Sequence, residues 1–251
     1  MKLLFSEFWE PLALEEGEFA SLVVEHPPTF RALVADLHGQ ICGGLPGECV
    51  LSEDGRPLEL SRCAELFVEV VPFPGARRSL LTRAAAALER RAVAAEQYER
   101  TLSLLAQVER FLWELCDELP LTVDTQRLTV GGLLKLADLS IGPAEEGGLQ
   151  TALDYMDLVA RLERDKLFLF VNLRGYYACD ELKRFFHAVR LHKHRVLMLE
   201  AREYPLLPGE KRVLIDADLC EIRLQFFGFV LQWGVAVPLE CAAAGRAVSR
   251  I

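Results

Sequence analysis

One long stretch of the sequence, from Ser79 to Leu119, contains neither proline nor glycine. Apolar residues recur in it at steps of three and four, which is typical of a sustained helical seam of heptad type. The seam consists of Leu81, Ala84, Leu88, Ala92, Ala95, Tyr98, Leu102, Leu105, Val108, Leu112, Leu115 and Leu119. A single helix of this length would be roughly 60 Å long at about 1.5 Å per residue. Average helices have only about 11–12 residues, so we expect this one to project or to pair with a partner.

The segments on both sides of this helix have the character of buried β-strands. The run KLFLFVNL at 166–173 is almost continuously apolar, which suits a strand covered on both faces, as in a parallel sheet. The predicted strands are 20–25, 48–51, 65–71, 166–173, 195–200 and 211–216. The shorter predicted helices are 29–37, with Thr29 as its cap, 128–137, 149–162 and 181–191.

This order, α/β, then helical, then α/β, predicts an α/β fold whose sheet-containing head is interrupted by a coiled-coil-like helical leg. An insertion of about 90 residues whose two ends meet fits the logic of domain insertion. We therefore expect the head at 1–76 and 165–222, the leg at 77–164 and a C-terminal extension at 223–251. The extension could be an added hairpin, a partner-binding segment or a poorly packed end, and the last is the preferred interpretation.

Composition and charge exclude several classes of protein. With 51% hydrophobic and 26% charged residues, the chain is too apolar to be disordered. A formal net charge of −9 argues against a globally basic nucleic-acid coat, although a local basic face remains compatible with it. We find no signal peptide and no apolar segment of about 18 residues, and therefore expect a cytoplasmic protein without a membrane partner.

Cysteine and histidine spacing does not predict a metal site. The seven cysteines are odd in number and form no CxxC pair, so we expect buried free thiols in a reducing compartment. His192 and His194 flank Lys193, but no neighbouring cysteine or carboxylate pattern completes a ligand set. We expect these histidines to be surface residues.

The sequence also lacks the common catalytic motifs. The segment 43–47, GGLPG, has the glycines of a phosphate loop but not the lysine and the Ser or Thr that GxxxxGK[ST] requires. Asn172 follows the buried strand at 166–171, where a P-loop enzyme would carry an acidic residue that holds magnesium. No GxSxG or HExxH occurs. Glu200, Arg202 and Glu203 at a strand end could form a polar site, but a capping and salt-bridge role is favoured. We expect no enzymatic activity.

Basic residues form two clusters in spite of the acidic balance. The clusters are Arg77, Arg78, Arg83, Arg90 and Arg91, and Lys183, Arg184, Arg190, Lys193 and Arg195. Clustered cations can bind phosphates, with an affinity that falls steeply with salt. On pattern alone, a solvated face balanced by glutamates is the favoured interpretation.

Several segments in a fixed order carry a family resemblance. The strongest is KLFLFVNLRGYYACDEL at 166–182, followed by VLMLEAREY at 196–204 and VLIDADLC at 213–220. Earlier segments are MKL at 1–3 with PL at 11–12, SLVVE at 21–25, ELCDEL at 114–119 and LLKLADLSI at 133–141. With this order around a helical insertion, the chain resembles the type II-A CRISPR-associated adaptation proteins of the Csn2 (Csn-two) family.

The resemblance implies a P-loop-ATPase-like α/β head without a nucleotide loop, and helical legs that pack into a ring-shaped homotetramer. It implies binding of the ends of linear double-stranded DNA through a positively lined hole, without catalysis. It implies a part in spacer acquisition, and so in antiviral defence, with the CRISPR integrase subunits and the RNA-guided nuclease as partners. Two alternatives stay open, namely a nucleotide hydrolase with a degenerate phosphate loop and a scaffold for adaptation proteins that does not bind DNA.

The resemblance also implies site residues. The candidate DNA-binding residues are Arg77, Arg78, Arg83, Lys135, Lys183 and Arg184, of which Lys135 matches a lysine position of the family. Calcium bound between subunits is implied as well, with Glu118 and Asp124 as the best matching ligands. Pro120, Thr122 and Val123 stand where acidic residues are common in the family. Calcium prefers six to eight oxygen ligands. With these three acidic residues replaced, the chain has fewer carboxylate ligands for calcium than the family pattern provides.

Overall fold

The computed structural model describes residues 1–6, 10–71, 78–117, 127–139, 148–163 and 166–225. The chain forms two compact units, one made of Met1–Pro74 with Glu146–Ile251 and one made of Gly75–Glu145. The strands are β1 Lys2–Leu4, β2 Leu12–Ala13, β3 Phe19–Val24, β4 Val50–Glu53, β5 Arg56–Leu58, β6 Ala64–Phe67, β7 Leu167–Val171, β8 Arg195–Glu200, β9 Lys211–Ile215 and β10 Glu221–Gln225. The helices are α1 Pro27–Gly43, α2 Leu60–Cys63, α3 Arg78–Ala92, α4 Ala95–Asp117, α5 Val130–Leu136, α6 Gly148–Leu162 and α7 Cys179–Leu191.

A six-stranded sheet forms the centre of the first unit, in the order β10-β9-β3-β8-β7-β6. All neighbouring strands are parallel except β9 and β10, which are antiparallel. Every residue of β3, β7 and β8 is buried. This is the environment that the continuous apolar runs predict for strands covered on both faces. The α/β fold with a mostly parallel sheet is thus confirmed.

A second, antiparallel sheet in the same unit has the strand order β2-β1-β4-β5. Asp54 and Gly55 join β4 to β5, and both have positive φ angles, of 49° and 75°. Two such residues form the tight turn that matches the twist of a β-hairpin, and Asp-Gly is one of its strongest signals. The apolar pattern predicts only the first strand of this hairpin, at 48–51.

Helix α1 is longer than predicted and begins differently. It starts at Pro27 with His26 as its N-terminal flanking residue, and it continues through Gly43 to a left-handed Gly44 with φ of 61°. Thr29 is therefore not the cap. Its hydroxyl instead lies 2.9 Å from Nδ1 of His26. Gly39 lies within the helix, which ends at the left-handed Gly44.

Helix α6 belongs to the same compact unit as the central sheet, whereas the sequence analysis placed it in the leg domain. The reason is its apolar face, which is buried in the head and packs on α7. The Tyr155 ring meets Phe67 of β6 edge-on at 5.5 Å, and its hydroxyl donates to Glu65 at 2.8 Å.

The C-terminal boundary of the head also differs from the expected one, because β10 continues to Gln225, past the expected boundary at 222. Residues 226–251 lie outside the described part.

The predicted single long helix is wrong, because the second unit contains two helices that meet at Val93 and Ala94. The Thr101 hydroxyl donates to the Ala92 carbonyl at 2.8 Å. In one straight helix these residues would be about 13 Å apart along the axis, so the chain turns sharply here. The hydroxyl satisfies one of the carbonyl groups that the end of α3 leaves without a helical partner. Helix α5 packs on α3 in the same unit.

Among the described residues, none of the helices combines the length and the apolar character that crossing a membrane requires. The six described cysteines form no disulfide. Cys49 is buried, but Cys42, Cys179 and Cys220 are exposed, so the expectation of uniformly buried thiols is wrong. The exposed thiols sit on helix ends and turns of the surface and not in the core.

Candidate functional site

Two of the candidate DNA-binding residues lie in the helical unit. Arg83 is exposed on α3 and Lys135 is exposed on α5, and these two helices pack against each other. Arg78 is described only as the first residue of α3, and Arg77 lies outside the described residues. The helical unit therefore presents at least two exposed cations on neighbouring helices.

Two further candidates lie on α7 in the first unit. Lys183 and Arg184 are exposed, and both interact with Asp180 one turn earlier. Nζ of Lys183 lies 3.0 Å from the Asp180 carboxylate, and Nε of Arg184 donates to the Asp180 carbonyl at 3.3 Å. The hydrogen bond to Asp180 raises the pKa of Lys183 further above neutral pH. The Lys183–Asp180 pair is an exposed salt bridge, and such pairs are weak.

The connection from β3 to α1 is where a nucleotide-binding head would hold phosphates, because ligands favour the carboxyl ends of parallel strands. A phosphate at a helix N-terminus is bound by the free backbone N–H groups of the first turn. In this chain Pro27 and Pro28 occupy the first positions of α1, and proline has no N–H. The glycines at 43 and 44 lie at the opposite end of the helix. This connection is therefore poorly equipped to bind phosphate.

Glu200, at the carboxyl end of β8, lies in a buried polar network and not in an open site. Its side chain is 1% exposed, and Oε1 accepts a hydrogen bond from the Arg174 backbone N–H at 3.1 Å. Burial raises the pKa of Glu200 to about 7, and Oε2 is buried without a hydrogen-bond partner. The neighbouring Arg202 donates to the Tyr204 hydroxyl at 2.7 Å, and Arg212 lies 3.3 Å from Glu203.

Glu210 is the centre of the same network and is completely buried. It accepts hydrogen bonds from the Ser21 hydroxyl at 2.6 Å, from Nε of Arg212 at 2.9 Å and from the Leu207 N–H at 2.7 Å. It also forms an ion pair with Arg174. These bonds hold the segment 201–210 to the sheet, and they leave this buried carboxylate fully engaged. The arrangement favours the salt-bridge role over a catalytic one.

A different cluster unites three metal-ligating side chains from two parts of the first unit. Asp157 on α6 faces His192 and His194, which lie at the end of α7 and at the start of β8. Oδ1 of Asp157 lies 2.8 Å from Nδ1 of His192 and 2.8 Å from Nε2 of His194. Burial opposes ionisation of Asp157, but the hydrogen bonds to both histidines outweigh it and lower its pKa. His192 is exposed, as expected, but His194 is only 5% exposed and is therefore not a surface residue.

Sequence reasoning missed this cluster because its carboxylate lies 35 residues before His192. The spacing of the two histidines was visible, but only the packing of α6 on α7 supplies Asp157. Glu118 and Asp124, the expected calcium ligands, lie outside the described residues. Within the described residues, this cluster is the group of three or more ligands close enough to hold one ion. Imidazole nitrogen is not a ligand that calcium favours.

Helix α4 exposes a large amount of apolar surface in the helical unit. The exposed large apolar side chains on it are Tyr98, Leu102, Leu104, Val108, Phe111, Trp113 and Leu115. Phe111 is 57% exposed and Trp113 is 48% exposed. Leu104, Val108, Phe111 and Leu115 recur at helical spacing and therefore share one side of the helix, the apolar face of α4. Exposed apolar patches mark interaction surfaces, so this face has the character of an interface.

The family model described as CRISPR-associated protein (Cas_Csn2) matches residues 46–219, which is more than half of the chain. This protein belongs to the Csn2 family. Membership implies a role in CRISPR adaptation, and the resemblance found in the sequence is confirmed.

The fold of this Csn2 protein is also found in a solved structure. The crystal structure of Stu0660 of Streptococcus thermophilus is similar, with a TM-score of 0.54 and 14% sequence identity. The similarity covers 90% of this chain and 76% of the Stu0660 chain. At this level of identity the likeness shows the fold alone. The comparison with curated proteins finds no significant match.

Proposed function

We propose that this Csn2 protein is a non-enzymatic homotetrameric ring that binds the ends of linear double-stranded DNA during spacer acquisition. The observation that carries the proposal is the family match over residues 46–219, because it includes parts of both compact units. The CRISPR integrase subunits and the RNA-guided nuclease are the proposed protein partners.

The connection between β3 and α1 supports a head that is related to P-loop ATPases but has lost its nucleotide site. Pro27 and Pro28 remove two of the N–H donors that a phosphate at this helix would need. The buried carboxylates of Glu200 and Glu210 are engaged by arginines of the head. A head of this kind serves as a scaffold that presents surface residues to DNA.

The proposed DNA contacts come from exposed cations in both units. Arg83, Lys135, Lys183 and Arg184 are exposed in the structure, and the sequence adds Arg77 and Arg78 to the set. Cations that bind the phosphates of DNA release its counterions. The logarithm of the binding affinity should therefore fall linearly with the logarithm of the salt concentration. A net charge of −9 is compatible with this arrangement if the cations line the hole and the acidic residues lie outside it.

The apolar face of α4 supports assembly through the legs. A monomer would leave Phe111 and the apolar residues that share its face, Leu104, Val108 and Leu115, in water. Burying such a surface against other copies is favourable by about 25 cal/mol for each Å². The homotetramer that the family resemblance implies has four times the mass of the 28.2 kDa chain, and a strict monomer in solution would contradict the ring.

The first experiment is a gel shift that compares linear duplex DNA with the same sequence as a closed circle, over a range of salt concentrations. A ring that threads onto ends retains the linear form at salt concentrations that release the circle. Equal binding of both forms, or no binding at low salt, would contradict the proposal.

Two other outcomes would point to the alternative functions. A nucleotide-dependent rise in melting temperature followed by phosphate release would indicate a hydrolase with a degenerate phosphate loop. A pull-down that still recovers adaptation proteins after nuclease treatment, together with no gel shift of DNA, would indicate a scaffold that does not bind DNA. The apolar face of α4 offers a surface for such a scaffold.

A further inference from the structure

The cluster of Asp157, His192 and His194 is built by a specific backbone conformation at the end of α7. Lys193 lies between the two histidines in the left-handed region, with φ of 60°. The Lys193 N–H donates to the Arg190 carbonyl, and the His194 N–H donates to the Val189 carbonyl. This is the Schellman ending of a helix, in which the left-handed position is usually glycine.

This helix ending decides where the imidazole rings point. His192 is the last residue before the left-handed turn, and His194 is the first after it. Because Lys193 reverses the chain direction, residues two apart reach the same carboxylate oxygen of Asp157, each at 2.8 Å. The His194 ring also forms a T-shaped pair with the Phe168 ring, with centroids 5.7 Å apart, and this contact holds it against the sheet.

The chemistry of the three side chains favours a particular class of ion. We propose that Asp157, His192 and His194 form a binding site for a divalent transition-metal ion, and that zinc fits it best. Two imidazole nitrogens and one carboxylate oxygen suit zinc and its first-row neighbours, whereas calcium and magnesium favour oxygen ligands throughout. This proposal does not depend on DNA binding.

The geometry requires only small adjustments to take the ion. Zinc bonds to nitrogen and oxygen are about 2.0–2.2 Å long, which places tetrahedral ligands roughly 3.3 Å apart. The three ligand atoms already lie within 4.8 Å of one another. On binding, the ion replaces the shared hydrogen bonds at Oδ1 of Asp157, and the ligands need to shift by no more than about 1 Å.

Exposure gives the ion a path into the site and an open coordination position. The His192 side chain is 43% exposed and the Asp157 side chain is 30% exposed, while His194 closes the inner side. Three protein ligands leave the fourth tetrahedral position to water. The ion would tie α6 to the corner between α7 and β8, so its binding stabilises the folded state.

The test uses the full chain, freed of metal with a chelator that is then removed, and titrated with cobalt(II) and zinc. We expect one cobalt ion to bind per chain and to show the visible absorption bands of nitrogen and oxygen ligation. Added zinc should displace the cobalt ion, and these bands should then disappear. The seven cysteines are the competing ligands. A charge-transfer band from sulfur to cobalt would show thiolate ligation and would overturn the assignment.

Variants of exposed histidines separate ligation from folding. His192→Gln removes a half-exposed ligand, and His187→Gln is the matched control on the exposed side of α7. Loss of a residue that only hydrogen-bonds to a metal ligand lowers metal affinity by about 10–100-fold. His192 would be a ligand itself, so we expect His192→Gln to lower zinc affinity by at least about 100-fold. The control should bind zinc like the original chain and show the same zinc-dependent rise in melting temperature. No stoichiometric binding, or equal binding by His192→Gln, would show that the cluster is only a hydrogen-bonded contact.

Discussion

Replacing Glu200 with glutamine is expected to stabilise the head at neutral and alkaline pH. Glu200 is 1% exposed, and its Oε2 is buried without a hydrogen-bond partner. Burial raises its pKa from the ordinary value of 4.5 to about 7. Glutamine keeps an amide oxygen that can accept the Arg174 N–H, but it cannot ionise, so the variant avoids placing a charge in this site.

The sign of the pH dependence follows from the raised pKa. A carboxyl group whose pKa is higher in the folded protein than in the unfolded chain favours folding while it is protonated. Its contribution is fully present below about pH 4.5 and is lost as the pH rises through about 7. A difference of about 2.5 pKa units corresponds to roughly 3 kcal/mol. We therefore expect Glu200→Gln to gain about 2–3 kcal/mol at pH 8 and little at pH 4.5.

Urea unfolding of both proteins between pH 4.5 and 8.5 measures this difference directly. The matched control is Glu203→Gln, because Glu203 is 48% exposed and also faces an arginine. The control should change stability by less than about 1 kcal/mol at every pH. A Glu200→Gln variant that is less stable at pH 8, or whose gain does not vary with pH, would refute the reasoning.

Three further predictions concern the helical unit. Replacing both Arg83 and Lys135 with alanine should weaken binding of linear duplex DNA in a gel shift. It should also reduce the slope of log affinity against log salt by about 1.8. The control is Arg62→Ala, which removes an exposed cation of the head and should not change the affinity. Thr101→Val removes the hydrogen bond to the end of α3 and should lower the free energy of unfolding by about 0.5–1.5 kcal/mol, measured by chemical denaturation. Phe111→Glu places a charge on the apolar face of α4 and should reduce the assembly to smaller species in sedimentation, and an unchanged tetramer would show that this face is not the interface.

The central sheet could be predicted from the sequence because its strands have a strong and local signal. The runs at 167–171 and 196–199 are apolar throughout, and such runs suit strands that are covered on both faces. The hairpin at Asp54 and Gly55 also had a local signal, but it was missed because the short β5 has little apolar content.

The break between α3 and α4 could not be predicted from local sequence. Val93 and Ala94 are neither proline nor glycine, and the apolar steps continue across them. The turn is stabilised by contacts that are not local, such as the hydroxyl of Thr101 on the Ala92 carbonyl. The grouping of α6 with the head likewise depends on Tyr155 and its partners in β6, which are distant in the sequence.

The candidate sites divide in the same way. Exposed cations such as Lys135 and Lys183 could be named from sequence clusters and from the family resemblance, because exposure follows from charge. The Asp157 cluster could not, because the carboxylate and the histidines come from separate elements that only packing joins. Predicting such a site needs the tertiary contacts between α6 and α7.

Binding of one duplex with its ends free or blocked tests the central claim most directly. A short linear DNA with biotin at both ends is compared before and after streptavidin covers the ends, so that length, sequence and backbone charge stay the same. The ring account predicts strong binding to the free duplex and loss of binding when both ends are blocked before the protein is added. Equal affinity for the free and the blocked duplex would contradict the threading of DNA ends.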